Sequence, residues 1–109
     1  MNPTFKAKWV AALRSGEYKQ GKYVLRDQEN NFCCLGVLMD IDGCLWNPTE
    51  LCRVKTNIYS VDGSGETTKL TAITAVKFDL SDEKQVSLIS MNDSGKTFAE
   101  IADYIEKDL

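Results

Sequence analysis

The chain of 109 residues is 43% apolar and 27% charged, enough material for one soluble globular domain over residues 1–109 and too little for a second. It contains no histidine, which excludes histidine-based catalytic triads, histidine-ligated metalloproteases and classical zinc fingers. A net charge of −3 and a pI near 4.9 argue against general nucleic-acid binding, because neutralising phosphates takes a surplus of Lys and Arg.

In chain order, Asn2 and Pro3 make an N-cap and first-turn pair. Phe5, Trp9, Ala12 and Leu13 then recur at helical spacing, so a helix is predicted from Pro3 to about Arg14, stopped by Ser15-Gly16. Residues 22–27 read as a short extended piece, and Gln28-Glu29-Asn30-Asn31 as a polar turn. Residues 32–39 form the longest apolar run, broken only by Gly36. It is far shorter than the roughly 20 residues a bilayer needs, and no signal-peptide pattern precedes it, so a cytoplasmic protein off the membrane is expected. Cys34, Leu35, Leu38 and Ile41 fit one helical face and Asp42-Gly43 a stop, which favours a short helix over a buried strand.

Asn47-Pro48-Thr49 marks a change of character. Beyond it Cys52, Val54, Thr56 and Ile58 alternate with polar residues, and Leu70, Ala72, Thr74, Val76 and Phe78 alternate again after the stretch Asp62-Gly63-Ser64-Gly65-Glu66. The two segments are expected to pair as an antiparallel hairpin with an exposed loop. Ser81 is placed as the N-cap of a helix with Asp82 and Glu83 in its first turn and Val86 and Ile89 turned inward. Thr97-Phe98-Ala99-Glu100 is a capping box that starts a last helix, with Phe98, Ile101, Ala102, Ile105 and Leu109 as its apolar stripe. The expected fold class is α+β: one small domain with helices at both ends around a central antiparallel hairpin or small sheet. Its expected core is Phe5, Trp9, Leu13, Leu35, Leu38, Ile89, Phe98, Ile101 and Ile105.

Few residues offer chemistry. Ser94-Gly95-Lys96-Thr97 imitates the end of a phosphate-binding P-loop, but Ser90 stands where that pattern needs glycine, and a helix precedes it instead of a strand. A helix-to-helix turn explains it better. The four cysteines, Cys33, Cys34, Cys44 and Cys52, lack the spacing of a zinc knuckle and read as reduced thiols, with Cys33 and Cys34 as inert packing in an apolar run. No metal, cofactor or catalytic set is assigned. Charge is divided: residues 1–26 carry six cations against Glu17, and residues 79–109 carry eight acids against three lysines. The two segments can attract each other within the fold. Alternatively, Arg14, Tyr18, Lys19 and Arg26 could frame a pocket for a phosphate or nucleotide.

Residues 9–20, Trp-Val-Ala-Ala-Leu-Arg-Ser-Gly-Glu-Tyr-Lys-Gln, the run Phe32-Cys33-Cys34-Leu35-Gly36-Val37-Leu38, and residues 90–102, Ser-Met-Asn-Asp-Ser-Gly-Lys-Thr-Phe-Ala-Glu-Ile-Ala, occur in that order. Together they resemble a family of small, largely uncharacterised proteins encoded by bacteriophages and prophages. The resemblance does not extend over residues 51–78. It implies a non-enzymatic accessory protein of the infected bacterial cytoplasm that binds and inhibits a host protein, met by the hairpin edge or the exposed loop, in host takeover or anti-defence. The alternative is a sponge that sequesters a small anionic signalling nucleotide. Arg14, Tyr18, Gln20, Asn92, Asp93 and Lys96 lack an evident core or capping duty within these blocks and are the expected ligand-binding residues. An exposed Trp46 or hairpin edge would suit a homodimer.

Overall fold

The Asn2 side chain accepts hydrogen bonds from the amides of Thr4 and Phe5, and Pro3 sits where a helix needs no donor, so α1 (Pro3–Arg14) begins where the sequence predicts. In the computed structural model, residues 1–50, 57–61 and 67–109 are described. After α1 come β1 (Lys19–Gln20), β2 (Asn31–Phe32), α2 (Cys34–Ile41), β3 (Trp46–Glu50), β4 (Asn57–Val61), α3 (Ala72–Lys77), α4 (Asp82–Asp93) and α5 (Phe98–Asp108). The architecture is α+β with helices at both ends. β1 and β2 form a short parallel pair, Lys19 opposite Asn31 and Gln20 opposite Phe32, and β3 and β4 an antiparallel one, Trp46 opposite Val61 and Glu50 opposite Asn57.

The core lies where α1 packs against α5 and α2, and α2 against α4. α2 is buried on every side from Cys34 to Met39, which is why its apolar run shows no polar face. The Trp9 indole nitrogen donates to the Cys34 carbonyl at 2.9 Å, pinning α1 to the start of α2. Gly36 allows the chain at Leu25 to cross this helix: a Cβ there would stand 1.9 Å from the Leu25 carbonyl oxygen. That carbonyl accepts from the Cys33 amide, and the Leu25 amide donates to Thr67, so the crossing strand of backbone is fixed from both ends. Trp9, Leu13, Leu35, Leu38, Phe98, Ile101 and Ile105 are buried as expected, while Phe5 and Ile89 are only partly covered.

Three helices end in the same hydrogen-bonded stop. At α2 the Gly43 amide donates to Asp40 and the Cys44 amide to Met39. At α3 the Asp79 amide donates to Val76 and the Leu80 amide to Ala75, and at α4 the Gly95 amide donates to Asn92 and the Lys96 amide to Met91. This is the Schellman pattern, with the residue after the cap in left-handed geometry: Gly43 at φ 82°, Asp79 at φ 54° and Gly95 at φ 104°. Thr97 then opens α5 with its capping box, whose bonds hold the Glu100 carboxylate below the usual range. Gly95-Lys96-Thr97 is thus a helix stop followed by a helix start.

The central hairpin differs from the expected one. Its strands are β3 and β4, so Asn47-Pro48-Thr49 lies inside a strand and Asn57–Val61 answers it, while residues 51–56 and 62–66 of the predicted hairpin lie outside the described residues. The predicted second strand through Leu70, Ala72, Thr74, Val76 and Phe78 is instead α3. The Thr71 hydroxyl accepts from the Thr74 amide and caps it, and the side chains that go inside are Leu70, Thr74 and Phe78. Every fourth residue of an alternating pattern is also a helical stripe, so period two concealed period four. Residues 22–27 bend rather than extend, with Tyr23 in left-handed geometry at φ 73° and an isolated bridge between Arg26 and Phe32. In α4 the side turned inward is Gln85, Leu88 and Asn92, and Val86, predicted inward, is 63% exposed. The reason is polar: Gln85 accepts from the Leu70 amide and donates to the Leu80 carbonyl, so an amide occupies the core position that an aliphatic residue would.

Candidate functional site

The six residues expected to bind a ligand fall in three places. Gln20, Asn92, Asp93 and the backbone of Lys96 meet in one clamp. The Gln20 amide nitrogen donates to Asn92 Oδ1 at 3.0 Å and to the Lys96 carbonyl at 2.7 Å, and its oxygen accepts from the Phe98 amide at 3.1 Å. Asn92, wholly buried, donates from Nδ2 to the Gly21 carbonyl at 2.7 Å. Asp93 Oδ1 accepts from the Tyr23 amide at 3.0 Å. The clamp therefore ties the segment after β1 to the α4–α5 corner, and its bonds hold Tyr23 in its left-handed conformation with the side chain 70% exposed. The Lys96 ammonium lies 3.7 Å from Glu100.

Arg14 is elsewhere, on the seam between α1 and α5. Its guanidinium reaches Asp103 at 2.6 Å and Glu106 at 2.8 Å, and hydrogen bonds to those carboxylates raise its pKa. The basic start and the acidic end of the chain meet here. Tyr18 is in a third place, an open groove of 590 Å³ that it shares with Lys19, Arg26, Phe32 and Asp40. Its hydroxyl donates to Asp40 Oδ2 at 2.6 Å, and the Trp46 indole donates to Asp40 Oδ1 at 3.0 Å. Burial first, and the Asp40 bond second, push the Tyr18 phenol well above its usual value. Arg26 lies over Phe32 at 5.5 Å and over Trp46 at 5.6 Å, with its guanidinium hydrogen-bonded to Asn30. The structure thus brings Tyr18, Lys19 and Arg26 to one groove, without Arg14. Glu17, Glu29 and Asp40 line it too, so its charge is mixed.

The cysteines of the apolar run serve packing and capping. Cys33 Sγ accepts from the Gly36 amide at the start of α2, and Cys34 Sγ approaches the Leu88 carbonyl at 3.6 Å. Burial pushes Cys33 up to about 11 and Cys34 well above its ordinary value, so neither is a thiolate near neutral pH. Among the described residues, no group of three His, Cys, Asp or Glu side chains is placed to hold a metal ion, and no helix is long and apolar enough to cross a membrane.

One surface escapes the sequence reading. Ile73 and Val76, three residues apart on α3, are each 82% exposed, and Val86 on α4 stands out as well. Val76 lines one shallow groove and Val86 a second, and Asp82 lines both. The signal that could have found it is the Thr71-x-x-Thr74 cap, because a helix started at Ala72 puts Ile73 and Val76 on the side away from Leu70, Thr74 and Phe78.

In comparison with known proteins, residues 1–73 match DUF8296, a domain of unknown function. No curated protein and no solved structure matches the chain.

Proposed function

We propose that this chain, which belongs to the DUF8296 family, is a non-enzymatic binding protein that engages and inhibits a host protein, as a phage or prophage product in the bacterial cytoplasm. The observation that carries the reading is the exposure of three aliphatic side chains, Ile73 and Val76 on α3 and Val86 on α4, with Asp82 lining both the groove beside Val76 and the groove beside Val86. Side chains of this size clustered in water are characteristic of protein contacts. Support also comes from the residues most suited to chemistry, since Gln20, Asn92 and Asp93 hydrogen-bond within the fold and Cys33 and Cys34 are held as thiols. The proposed contact is on α3 and α4 rather than on the hairpin edge. Affinity capture from bacterial lysate should return one stoichiometric protein with the wild type and lose it with Ile73→Ser/Val76→Ser; recovery of none removes the proposal.

A second reading, sequestration of a small anionic nucleotide, is favoured by the groove in which Lys19 and Arg26 stand beside the Tyr18 and Phe32 rings. Calorimetry against cyclic and ADP-ribose-derived nucleotides tests it. Binding that Arg26→Ala leaves unchanged would place the ligand elsewhere.

A further inference from the structure

The groove beside Tyr18 has a cation of the chain itself seated in it. The Arg26 guanidinium lies 5.5 Å from the centre of the Phe32 ring and 5.6 Å from that of Trp46, and these two rings stand at 73° to each other with centroids 6.0 Å apart. Two aromatic walls near a right angle thus face one positive group. Phe32 and Arg26 line the groove, and Trp46 adjoins it through them. A third ring, Tyr18, meets Phe32 edge-on at 87°. The walls have anchors of their own: Phe32 is buried, and Asp40 accepts from the Tyr18 hydroxyl at 2.6 Å and from the Trp46 indole at 3.0 Å. Arg26 is held in place by its own turn. Asn30 Oδ1 accepts from its Nε at 3.1 Å and its Nη2 at 2.7 Å, and Asp27 closes the turn by accepting from the amides of Glu29 and Asn31, both at 2.9 Å. Charge agrees with this arrangement. Without Arg26, the acids Glu17, Glu29 and Asp40 would share the groove with Lys19 as its one cation. Rings and carboxylates together favour a positive group.

We propose that the aromatic corner of Phe32 and Trp46 at the Tyr18 groove is a recognition site for a small guanidinium compound, kept closed by Arg26 as its internal occupant. A guanidinium is the group the structure seats there, and it is planar, delocalised and weakly hydrated, so it leaves water for an aromatic face more readily than an ammonium does. A ligand must displace Arg26 from the rings and from Asn30. It therefore binds the wild type below its intrinsic affinity, in proportion to the fraction of molecules that Arg26 has vacated. Arg26 is here the group that a ligand replaces, whereas for an anionic nucleotide it would be the group that the ligand touches. One substitution separates the two.

The test is calorimetry of the full chain with L-argininamide, beside L-citrullinamide as its counterpart of the same shape without the guanidinium charge. Arg26→Ala should bind argininamide at least about tenfold more tightly than the wild type does, and prefer it to citrullinamide by a similar factor. Asn30→Gly suits the left-handed backbone at φ 61° and removes only the two side-chain bonds to the guanidinium, so its affinity should fall between those of the wild type and Arg26→Ala. Adding Phe32→Leu to Arg26→Ala takes away one wall and should abolish the gain. Equal affinity of Arg26→Ala for the two amides, or argininamide binding no tighter than the wild type's, overturns the inference. So does a nucleotide that the wild type binds and Arg26→Ala does not, which would make Arg26 a contact to phosphate. Should Arg26→Ala lose its cooperative unfolding transition, Asn30→Gly decides alone: tighter binding of argininamide than in the wild type is expected, and unchanged binding overturns the inference.

Discussion

Gly36 is the residue with the least latitude. A methyl group there would overlap the Leu25 carbonyl, and Leu25 cannot retreat without giving up its bonds to Cys33 and Thr67. Gly36→Ala should lower stability by about 3 kcal/mol, read as a shift in denaturant midpoint; an unchanged midpoint would contradict the packing described. Asp79 invites the opposite change. It holds the left-handed position of a Schellman stop that glycine adopts without strain, so Asp79→Gly should raise stability by about 0.5 kcal/mol, visible as a slightly higher Tm. The buried thiols set a pH dependence. Cys33 titrates near 9.0 when unfolded and at about 11 when folded, so the unfolded chain loses its proton first. Stability from this source is complete below pH 9 and is lost as pH rises through about 11, with Cys34 and Tyr18 acting in the same direction. Urea midpoints measured at pH 8, 9 and 10.5 should fall in that order.

At the scale of elements, the clamp between β1 and the α4–α5 corner is a mutual arrangement, so its members should not act independently. Gln20→Ala and Asn92→Ala each leave buried partners unmatched, and a double-mutant cycle should give a coupling of about 1–2 kcal/mol; additive effects would show that the two amides serve separate ends. Legibility in the sequence followed the kind of signal each element carries. α1 and α5 announce themselves through Asn2-Pro3 and the Thr97–Glu100 box, because a cap is local chemistry read from four residues. α3 was hidden because Leu70, Thr74 and Phe78 satisfy both periods, and only its cap at Thr71 separates them. α4 misled through Gln85 and Asn92, whose burial depends on backbone groups far away in sequence, at Leu70 and Gly21. The same long-range partners explain why Gln20, Asn92 and Asp93 stood out as residues without evident duty: nothing near them in sequence reveals the bonds they make. The apolar strip on α3 was invisible for as long as that segment read as a strand.

The whole molecule is built across the boundary of the family match. Residues 1–73 contain α1 and α2, which pack on each other, but α1 is also covered by α5 and α2 by α4, and Leu70 is held by Gln85. A fragment of residues 1–73 should therefore show no cooperative unfolding transition, whereas the full chain should give a single one with circular dichroism and fluorescence coincident. A cooperative fragment would mean that the first two thirds is a unit in its own right. Charge is organised at this scale too, since the cationic start meets the acidic end at Arg14, Asp103 and Glu106.

The placement of the two tryptophans gives the protein built-in optical labels. Trp9 is sealed between α1 and α2 with its indole on the Cys34 carbonyl, whereas Trp46 is partly open to solvent beside Phe32 and Arg26. A small molecule entering the Tyr18 groove would change the emission of Trp46 and leave that of the sealed Trp9 as it was. Titrations of wild type and Trp46→Phe, followed by intrinsic emission beside an independent signal, can therefore tell which face a newly found ligand occupies without any attached dye.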